Sequence, residues 1–346
     1  MLRNSLTALI GLTGLAFVAA PVAAYDVKEV GSFHVGGKDI KISDIPAKEV
    51  QVANGGPLLS YNPNGEFKTG QMYVQYVKLQ NPKAKYPLLL WHTSGATGAS
   101  WETKPDGKPG WQQYFLNAGH DVYISDAVER GRASWSRYPE VFKSEPFFRD
   151  KKEAWEIFRI GPDGSYSANS DQRVTNPGQK FPVEAFDQLN MQMVPRWATN
   201  DSAIQAAYNE LVAKVCPCVI MAHGQAGGFA FRSAIAMPDK VKGIIAIETP
   251  QPPDINRPDL GNVKKIPQLL VWGDNIDTSS YWKIAHSSKP RSYYEVVKQM
   301  GTKIEWFDLP AAGIKGNTHL VMMDTNSDAV AARMQNWMSK NGLMQK

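Results

Sequence analysis

Residues 218–228 read CVIMAHGQAGG, and this stretch is the clearest indication of the fold class. Its first part, residues 218–222, is a short apolar run of the kind that forms buried parallel strands. Residues 228–236 predict a helix that follows almost at once. A strand that turns tightly into a helix is the repeating unit of an α/β sheet, and Gly224 stands at the apex of the turn.

Similar units lie on both sides of this one. The apolar patterns predict strands at 71–79, 88–91, 121–125, 243–247, 268–272 and 303–309. They predict helices at 111–117, 201–214 and 327–340. Residues 25–80 are expected to be mostly β structure. Because strands that alternate with helices form parallel pairs, we predict an α/β fold with a mainly parallel, doubly wound sheet.

One segment interrupts the alternation. Residues 134–197 are too long for a simple connection and carry eleven aromatic residues, which argues against disorder. We predict an aromatic-rich cap insertion here, over the carboxyl ends of the strands. The alternative is an additional packing layer away from any site. The remaining segments, 25–133 and 198–346, form the predicted core.

Composition sets the broad class of protein. With 346 residues, of which 43% are hydrophobic and 21% charged, the chain has the composition of a globular protein. Its 38 Lys and Arg against 33 Asp and Glu give a net charge of +5, spread without a basic run. The sequence therefore predicts no nucleic-acid partner, and it gives no indication of the oligomeric state.

The amino terminus has the pattern of a secretory signal peptide. Arg3 precedes an apolar stretch at 9–20, and small residues at 22–24 form a cleavage site before Tyr25. The apolar stretch is shorter than the ~20 residues that a spanning helix needs. We therefore expect residues 1–24 to be removed, and the protein to be secreted or periplasmic without a membrane span.

The chain has two cysteines, Cys216 and Cys218, which flank Pro217. In an oxidising compartment they can pair as a structural or a labile redox disulfide, or they can stay as two buried thiols. No histidine or third cysteine lies nearby at metal-ligand spacing. The sequence predicts no metal site and no cofactor.

Residues suited to chemistry follow the predicted strands. In doubly wound sheets, ligands bind beyond the carboxyl ends of the strands. Four loops are expected there, at 92–98, 222–228, 248–250 and 316–319. Glycines and small residues in the first two let backbone N–H groups turn toward a ligand oxygen.

The order and spacing of these motifs resemble the α/β-hydrolase superfamily, and most closely a branch of secreted bacterial esterases. The resemblance spans roughly residues 70–340 and rests on segments 92–98, 101–107, 130–132, 247–248 and 316–319. It implies that His319 is the catalytic histidine. It also implies that the catalytic acid follows the sixth strand of that fold, at Glu248, with Asp274 as the reserve candidate.

The chain departs from this family at the nucleophile. The family turn reads Gly-x-Ser-x-Gly, whereas residues 222–226 read AHGQA and place Gly224 where the serine belongs. Glycine has no side chain, so covalent acyl-enzyme chemistry cannot start there. We consider an engineered knockout, a natural binding protein, and a natural enzyme in which His319 and Glu248 act as a general base. Ser94 is an alternative nucleophile.

Other residues are assigned supporting roles. The resemblance implies an oxyanion loop containing Ser94 and Gly95, and a second oxyanion donor in the Gln225 backbone N–H. Tyr281 and Trp282 are expected to line the pocket. Four other polar residues of these motifs are interpreted as structural: His92, His223, Arg130 and Arg132. Alternatively, the two arginines could bind an acidic substrate.

These observations predict an esterase-type hydrolase that acts on a carboxylic ester or a related carbonyl compound. A lyase or isomerase driven by His319 and Glu248 is the first alternative, and a catalytically inactive binding protein is the second. The aromatic residues of 134–197 favour a small apolar or aromatic substrate.

Overall fold

The computed structural model of the chain describes residues 25–345. The predicted signal peptide, residues 1–24, lies outside the described residues. The strands are β1 (Val27–Ile42), β2 (Lys48–Gln51), β3 (Leu58–Tyr61), β4 (Gly65–Leu79), β5 (Leu88–Trp91), β6 (Val122–Asp126), β7 (Cys218–His223), β8 (Val241–Ile247), β9 (Gln268–Trp272) and β10 (Ile304–Asp308). The helices are α1 (Ala99–Glu102), α2 (Trp111–Asn117), α3 (Lys151–Ile157), α4 (Phe186–Met191), α5 (Asp201–Val215), α6 (Gln225–Ala236), α7 (Ser280–Ser287), α8 (Lys289–Gln299) and α9 (Ser327–Lys340).

Eight of the strands form one sheet in the order β1-β4-β6-β5-β7-β8-β9-β10. The two junctions β1–β4 and β4–β6 are antiparallel, and every junction from β6 to β10 is parallel. Two separate apolar clusters cover the two faces of the sheet. The mainly parallel, doubly wound sheet predicted from the sequence is confirmed.

Strand β5 shows why these residues form a central strand. All four of its residues are fully buried, and it pairs in parallel with β6 on one side and β7 on the other. A strand covered on both faces must be apolar throughout, as this one is. Its carboxyl end opens directly into the loop at 92–98.

Helix α6 begins at Gln225, three residues earlier than the sequence indicated. Gly227 and Gly228 disfavour a helix by propensity. A Cβ at Gly227 would overlap the Thr249 side chain, and one at Gly228 would lie 2.7 Å from the Gln251 carbonyl oxygen. The glycines therefore let the first turn of the helix approach the loop after β8, and this packing outweighs their low propensity.

Residues 134–197 contribute α3 and α4 and supply part of the wall of a cavity at the carboxyl ends of the strands. Most of their aromatic rings pack against one another, as Trp155 does on Phe186 and Phe142 on Trp197. Of the eleven, Phe158 lines the cavity. The aromatic character of the segment thus mainly builds its own core.

Cys216 and Cys218 form a disulfide between the end of α5 and the start of β7. The sequence had left open whether they pair. Within residues 25–345, none of the helices is long and apolar enough to cross a membrane.

Candidate active site

The loops after β5, β7 and β8 and the loop before α9 meet around a cavity of about 230 Å³. Six of its lining residues were named as site candidates from the sequence: Ser94, Gly224, Gln225, Tyr281, Trp282 and His319. The other lining residues are Thr93, Arg149, Ile157, Phe158, Arg196, Asp201, Pro250 and Gln251. The fold therefore brings four sequence-distant loops to one place.

The turn after β7 has the shape of a strained elbow. Gly224 adopts φ +55° and ψ −122°, a conformation that residues with a Cβ rarely adopt. Its N–H donates to the Ile247 carbonyl oxygen at 2.8 Å, which ties the elbow to β8. The peptide then enters α6 at Gln225. The turn therefore has the shape of a strand-to-helix elbow, and the residue at its apex has no side chain.

His319 lies beside this elbow and is paired to Glu248. Its Nδ1 lies 3.3 Å from Glu248 Oε2, whereas its Nε2 lies on the side of Gly224. The His319 N–H donates to the Phe158 carbonyl at 2.9 Å, and the two rings stack with centroids 5.8 Å apart. Trp282 packs against the imidazole at 4.6 Å. These contacts fix the orientation of the ring.

Glu248 is fully buried and is held by three donors besides His319. Both of its oxygens accept from Arg159, at 2.9 and 2.6 Å, and Oε1 also accepts from the Gly273 N–H at 2.5 Å. Arg159 is itself fully buried in the segment after α3. Such a bidentate pair is geometrically specific, so the carboxylate is fixed in place. Arg159 could not be identified from the sequence, because it lies far from every motif.

The pKa values follow from this burial and pairing. Burial by itself raises the pKa of Glu248, but the charge of Arg159 and the hydrogen bonds from His319 and Arg159 outweigh it and hold that pKa at about 2. Burial lowers the pKa of His319, and the hydrogen bond to Glu248 offsets part of this effect. At neutral pH the pair is therefore a carboxylate and a neutral imidazole, the form that accepts a proton.

Asp274, the reserve acid, does not contact His319. Its two carboxylate oxygens accept from the backbone N–H groups of Asn275, at 2.7 Å, and Gly316, at 2.8 Å. It thereby ties the turn after β9 to the loop that carries His319. In this arrangement Glu248 supplies the carboxylate that faces the imidazole.

The loop that carries His319 is held from the other side by Asp324. This buried carboxyl accepts from the Thr318 N–H at 2.9 Å, the Thr318 hydroxyl at 2.7 Å and the Asn317 amide at 2.9 Å. Burial raises the pKa of Asp324 to about 7, although these donors lower it in part. The motif at 316–319 thus has a structural function around its histidine.

Backbone donors are available at the same cavity. Among residues 25–345, the N–H groups of Ser94, Gly95 and Gln225 donate to no protein acceptor. Gln225 is the first residue of α6, whose positive dipole end favours negative charge. Gly95 adopts φ +71°, and its carbonyl accepts from Val194 of the insertion. This arrangement suits a developing oxyanion.

Thr93 is a residue that the sequence reasoning missed. It directly precedes Ser94 in the quoted loop, lines the cavity and is 5% exposed. A Cβ built on Gly224 would overlap its hydroxyl oxygen and lie 2.9 Å from its own Cβ. The Thr93 side chain therefore fills the space that an elbow side chain would take. Its hydroxyl beside a glycine-rich loop was the available signal.

Two arginines of the insertion also reach the cavity, and sequence reasoning had missed both. Arg196 donates to the Ser94 hydroxyl oxygen at 2.6 Å. Arg149 pairs with Glu153 at 2.5 Å, and burial together with the charge of Arg196 lowers its pKa. Asp201 also lines the cavity, and it accepts a hydrogen bond from the Gln225 side-chain amide at 3.0 Å. The cavity lining is thus partly charged, and it is less apolar than the aromatic count of the insertion indicated.

The remaining motif residues make structural contacts. His92 accepts from the Ala127 N–H through Nε2, and burial lowers its pKa to about 4. His223 lies under the elbow, with its Nε2 2.9 Å from the His319 carbonyl oxygen. Arg132 pairs with Asp126 at 2.8 Å, which fixes the loop after β6. Arg130 is buried against Glu129.

A mainly parallel sheet with a strand-elbow-helix turn and a histidine–carboxylate pair at its carboxyl edge defines the α/β-hydrolase fold, and the chain has this fold. A solved structure described as that of a novel bacterial esterase superimposes with a TM-score of 0.78 at 29% identity, over 93% of this chain and 99% of that chain. A curated protein of Fungal sp. (strain ATCC 74256), named probable secreted lipase phiG, is 26% identical over 326 residues, which cover 80% of this chain and 88% of that protein. No family model matches the chain.

Proposed function

We propose that the chain is an esterase-type hydrolase that cleaves a carboxylic ester or a related carbonyl compound in the cavity beside Gly224. The observation that carries the proposal is the His319–Glu248 pair, which presents a neutral imidazole to a cavity rimmed by unpaired backbone N–H groups. The similarity to a bacterial esterase and to a probable secreted lipase supports the same reaction class.

In this proposal each group has one role. His319 Nε2 removes the proton from the attacking oxygen and returns it to the leaving group, and Glu248 orients the ring and stabilises the imidazolium. The N–H groups of Gln225 and of the loop at Ser94 and Gly95 stabilise the negative oxygen that develops on the carbonyl. Gly224 holds the place of the family nucleophile without supplying an oxygen.

A panel of 4-nitrophenyl esters of increasing acyl length tests the proposal. The native chain is expected to release 4-nitrophenol, and His319→Gln should lower kcat/KM by about 10²–10⁴-fold, because the general base is lost. His120→Gln is the matched control. His120 is also a buried histidine, but it hydrogen-bonds to Gln335 on α9 and does not line the cavity. Absence of ester cleavage that depends on His319 would contradict the proposal.

The alternative reading is a lyase or isomerase that uses the same base on a substrate carbon. The lack of a side chain on Gly224 is the observation in its favour, because such chemistry needs no nucleophile. Turnover in ¹⁸O-labelled water separates the two. A hydrolase places label in the released acid, whereas a lyase or isomerase yields an unlabelled product.

A further inference from the structure

We propose that the Thr93 hydroxyl is the attacking nucleophile of this site, acting in place of the side chain that Gly224 lacks. The proposal rests on the hydrolase function proposed above. It assigns the missing attacking oxygen to the loop after β5, whose Thr93 side chain lies directly beside Gly224.

The first support is the position of the hydroxyl. The point at which an elbow Cβ would lie is within overlap distance of Thr93 Oγ1, and the same point is 3.6 Å from His319 Nε2. In a serine hydrolase, that region holds the nucleophile side chain next to its base. The threonine thus brings a hydroxyl to the place where the fold requires one, from a different strand.

The second support is that both partners are uncommitted. Among the described residues, neither Thr93 Oγ1 nor His319 Nε2 makes a hydrogen bond, although both side chains are about 95% buried and line the cavity. Other buried threonine hydroxyls near the site have structural partners, as Thr318 has in Asp324. A hydroxyl donor and an imidazole acceptor, both unpaired and close to one point, are complementary.

Ser94 is the less suitable oxygen. Its hydroxyl accepts a 2.6 Å hydrogen bond from Arg196, which occupies a lone pair and favours a positioning role. Nor is any Ser94 atom among the three nearest to the Cβ position at Gly224, which belong to Thr93 and His319.

The reaction balances with these groups alone. Thr93 Oγ bonds to the acyl carbon as its proton passes to His319 Nε2, and the carbonyl oxygen becomes negative against the backbone N–H groups. The carbon–oxygen bond to the alcohol then breaks, and the alcohol takes the proton from His319. Water next adds to the acyl carbon and gives its proton to His319. The bond to Thr93 Oγ breaks, the threonine regains the proton, and the carboxylic acid leaves.

Three variants test the nucleophile. Thr93→Val removes the hydroxyl at nearly constant volume and is expected to lower kcat at least about 10³-fold. Thr93→Ser keeps a hydroxyl and should stay within about tenfold of the native chain. Thr302→Val is the control, because Thr302 is also buried with an unpaired hydroxyl but precedes β10 at the opposite edge of the sheet. It should leave kcat unchanged.

Covalent labelling gives a second readout. A fluorophosphonate should add one adduct to the native chain, and peptide mass spectrometry should place it on Thr93. Gly224→Ser alone should lower activity, since its Cβ would overlap Thr93. Combined with Thr93→Gly, which removes both the hydroxyl and the Cβ that would lie 2.9 Å away, Gly224→Ser has room for its Cβ, so hydrolysis should return and the adduct should move to position 224.

The outcomes separate the two proposals. Ester cleavage that depends on His319 but persists in Thr93→Val, or an adduct on Ser94, would overturn the nucleophile and leave the hydrolase standing. An adduct on Thr93 without ester turnover would support the nucleophile and contradict the ester substrate. No adduct and no ester turnover would overturn both.

Discussion

Glu248 concentrates the unusual features of the site in one residue. It has a left-handed backbone with φ +51°, it is fully buried, and it is ionised with a pKa of about 2. A non-glycine residue in this conformation costs free energy, which is tolerated where the surroundings fix it. Here Arg159, Gly273 and His319 fix it from three sides.

The pH profile of the native chain is the first prediction. Only neutral His319 accepts a proton, so kcat/KM should rise with pH through its pKa. Burial places that pKa below the ordinary value of 6.5, so the half-maximal rate should occur below pH 6.5 and remain level through neutrality. Initial rates on one ester between pH 4 and 8 check it. A midpoint above 6.5 would contradict the assigned base.

Glu248→Gln is the second prediction. Glutamine keeps the size but removes the charge that raises the pKa of His319, so the midpoint should move to lower pH. We expect kcat to fall about 10²-fold or more, because the imidazolium loses its partner. Asp274→Asn is the comparison, since Asp274 bonds to loop N–H groups instead of the imidazole. If only Asp274→Asn moved the midpoint of the pH profile, Asp274 and not Glu248 would be the acid partner of His319.

At the scale of elements, Arg159 connects the insertion to the edge of the sheet. It follows α3, pairs with Glu248 after β8, and donates through Nε to the Asp274 carbonyl after β9 at 2.8 Å. The Arg159 backbone carbonyl in turn accepts a hydrogen bond from the Asn176 side-chain amide at 2.9 Å. One guanidinium thus joins three loops.

Arg159→Met is the third prediction. It leaves a buried carboxylate unpaired, so the free energy of unfolding should fall by about 3–5 kcal/mol at pH 7. Because the folded-state pKa of Glu248 is about 2 against an ordinary 4.5, its ionisation stabilises the native chain above pH 4.5 and is lost as pH falls toward 2. The difference in the free energy of unfolding between the variant and the native chain should therefore be smaller at low pH. Urea titrations at pH 7 and pH 4 check this.

Lys68→Met provides the control for this measurement. Lys68 pairs with Asp39 on the surface, where the two side chains are 58% and 79% exposed. Its loss should cost less than about 1 kcal/mol at either pH. If Arg159→Met and Lys68→Met lowered the free energy of unfolding equally, the buried ion pair would matter no more for stability than the exposed one.

The disulfide gives the fourth prediction. Cys216 and Cys218 are two positions apart, so the bond closes a very short loop and restricts the unfolded chain little. Replacing both with alanine should lower the free energy of unfolding by about 1–2 kcal/mol, less than Arg159→Met. Urea unfolding checks this value. If the free energy of unfolding fell by more than about 4 kcal/mol, the disulfide would also stabilise the packing of α5 against β7, beyond its effect on loop closure.

At the scale of the whole molecule, the parallel sheet explains why one cavity collects residues from 93 to 319. Strands β5, β7, β8 and β9 all point their carboxyl ends to the same edge. The loops that follow them therefore lie side by side, and Arg149, Phe158 and Arg196 of residues 134–197 line the cavity with them. A ligand that enters this cavity meets all of the proposed machinery at once.

Export is the fifth prediction. We propose that residues 1–24 are a signal peptide and that the mature protein begins near Tyr25, because a short apolar run ends there in small residues. Expression with the native amino terminus in a secreting host, followed by N-terminal sequencing of the exported fraction, checks it. Protein that keeps Met1 and stays in the cytoplasm would contradict it.

The main strands and helices of the core could be predicted from the sequence, although no helix was predicted at 280–299, where α7 and α8 lie. The runs at 88–91 and 268–272 are strands at the predicted bounds, and 111–117 and 327–340 are helices, because apolar periodicity is a local property of the chain. The same locality placed Gly224 in a tight turn and His319 before the last helix.

Which side chains meet could not be predicted from the sequence, because these contacts depend on the tertiary fold. The Thr93 hydroxyl lies beside Gly224, 131 positions further along the chain. The Arg159 guanidinium binds Glu248, 89 positions further along. A local sequence pattern cannot predict contacts between residues so far apart. Burial decided the charge states in the same way, since the pKa of Glu248 depends on what surrounds it in the folded chain. Sequence periodicity specifies elements, whereas contacts between loops arise only when the sheet has assembled.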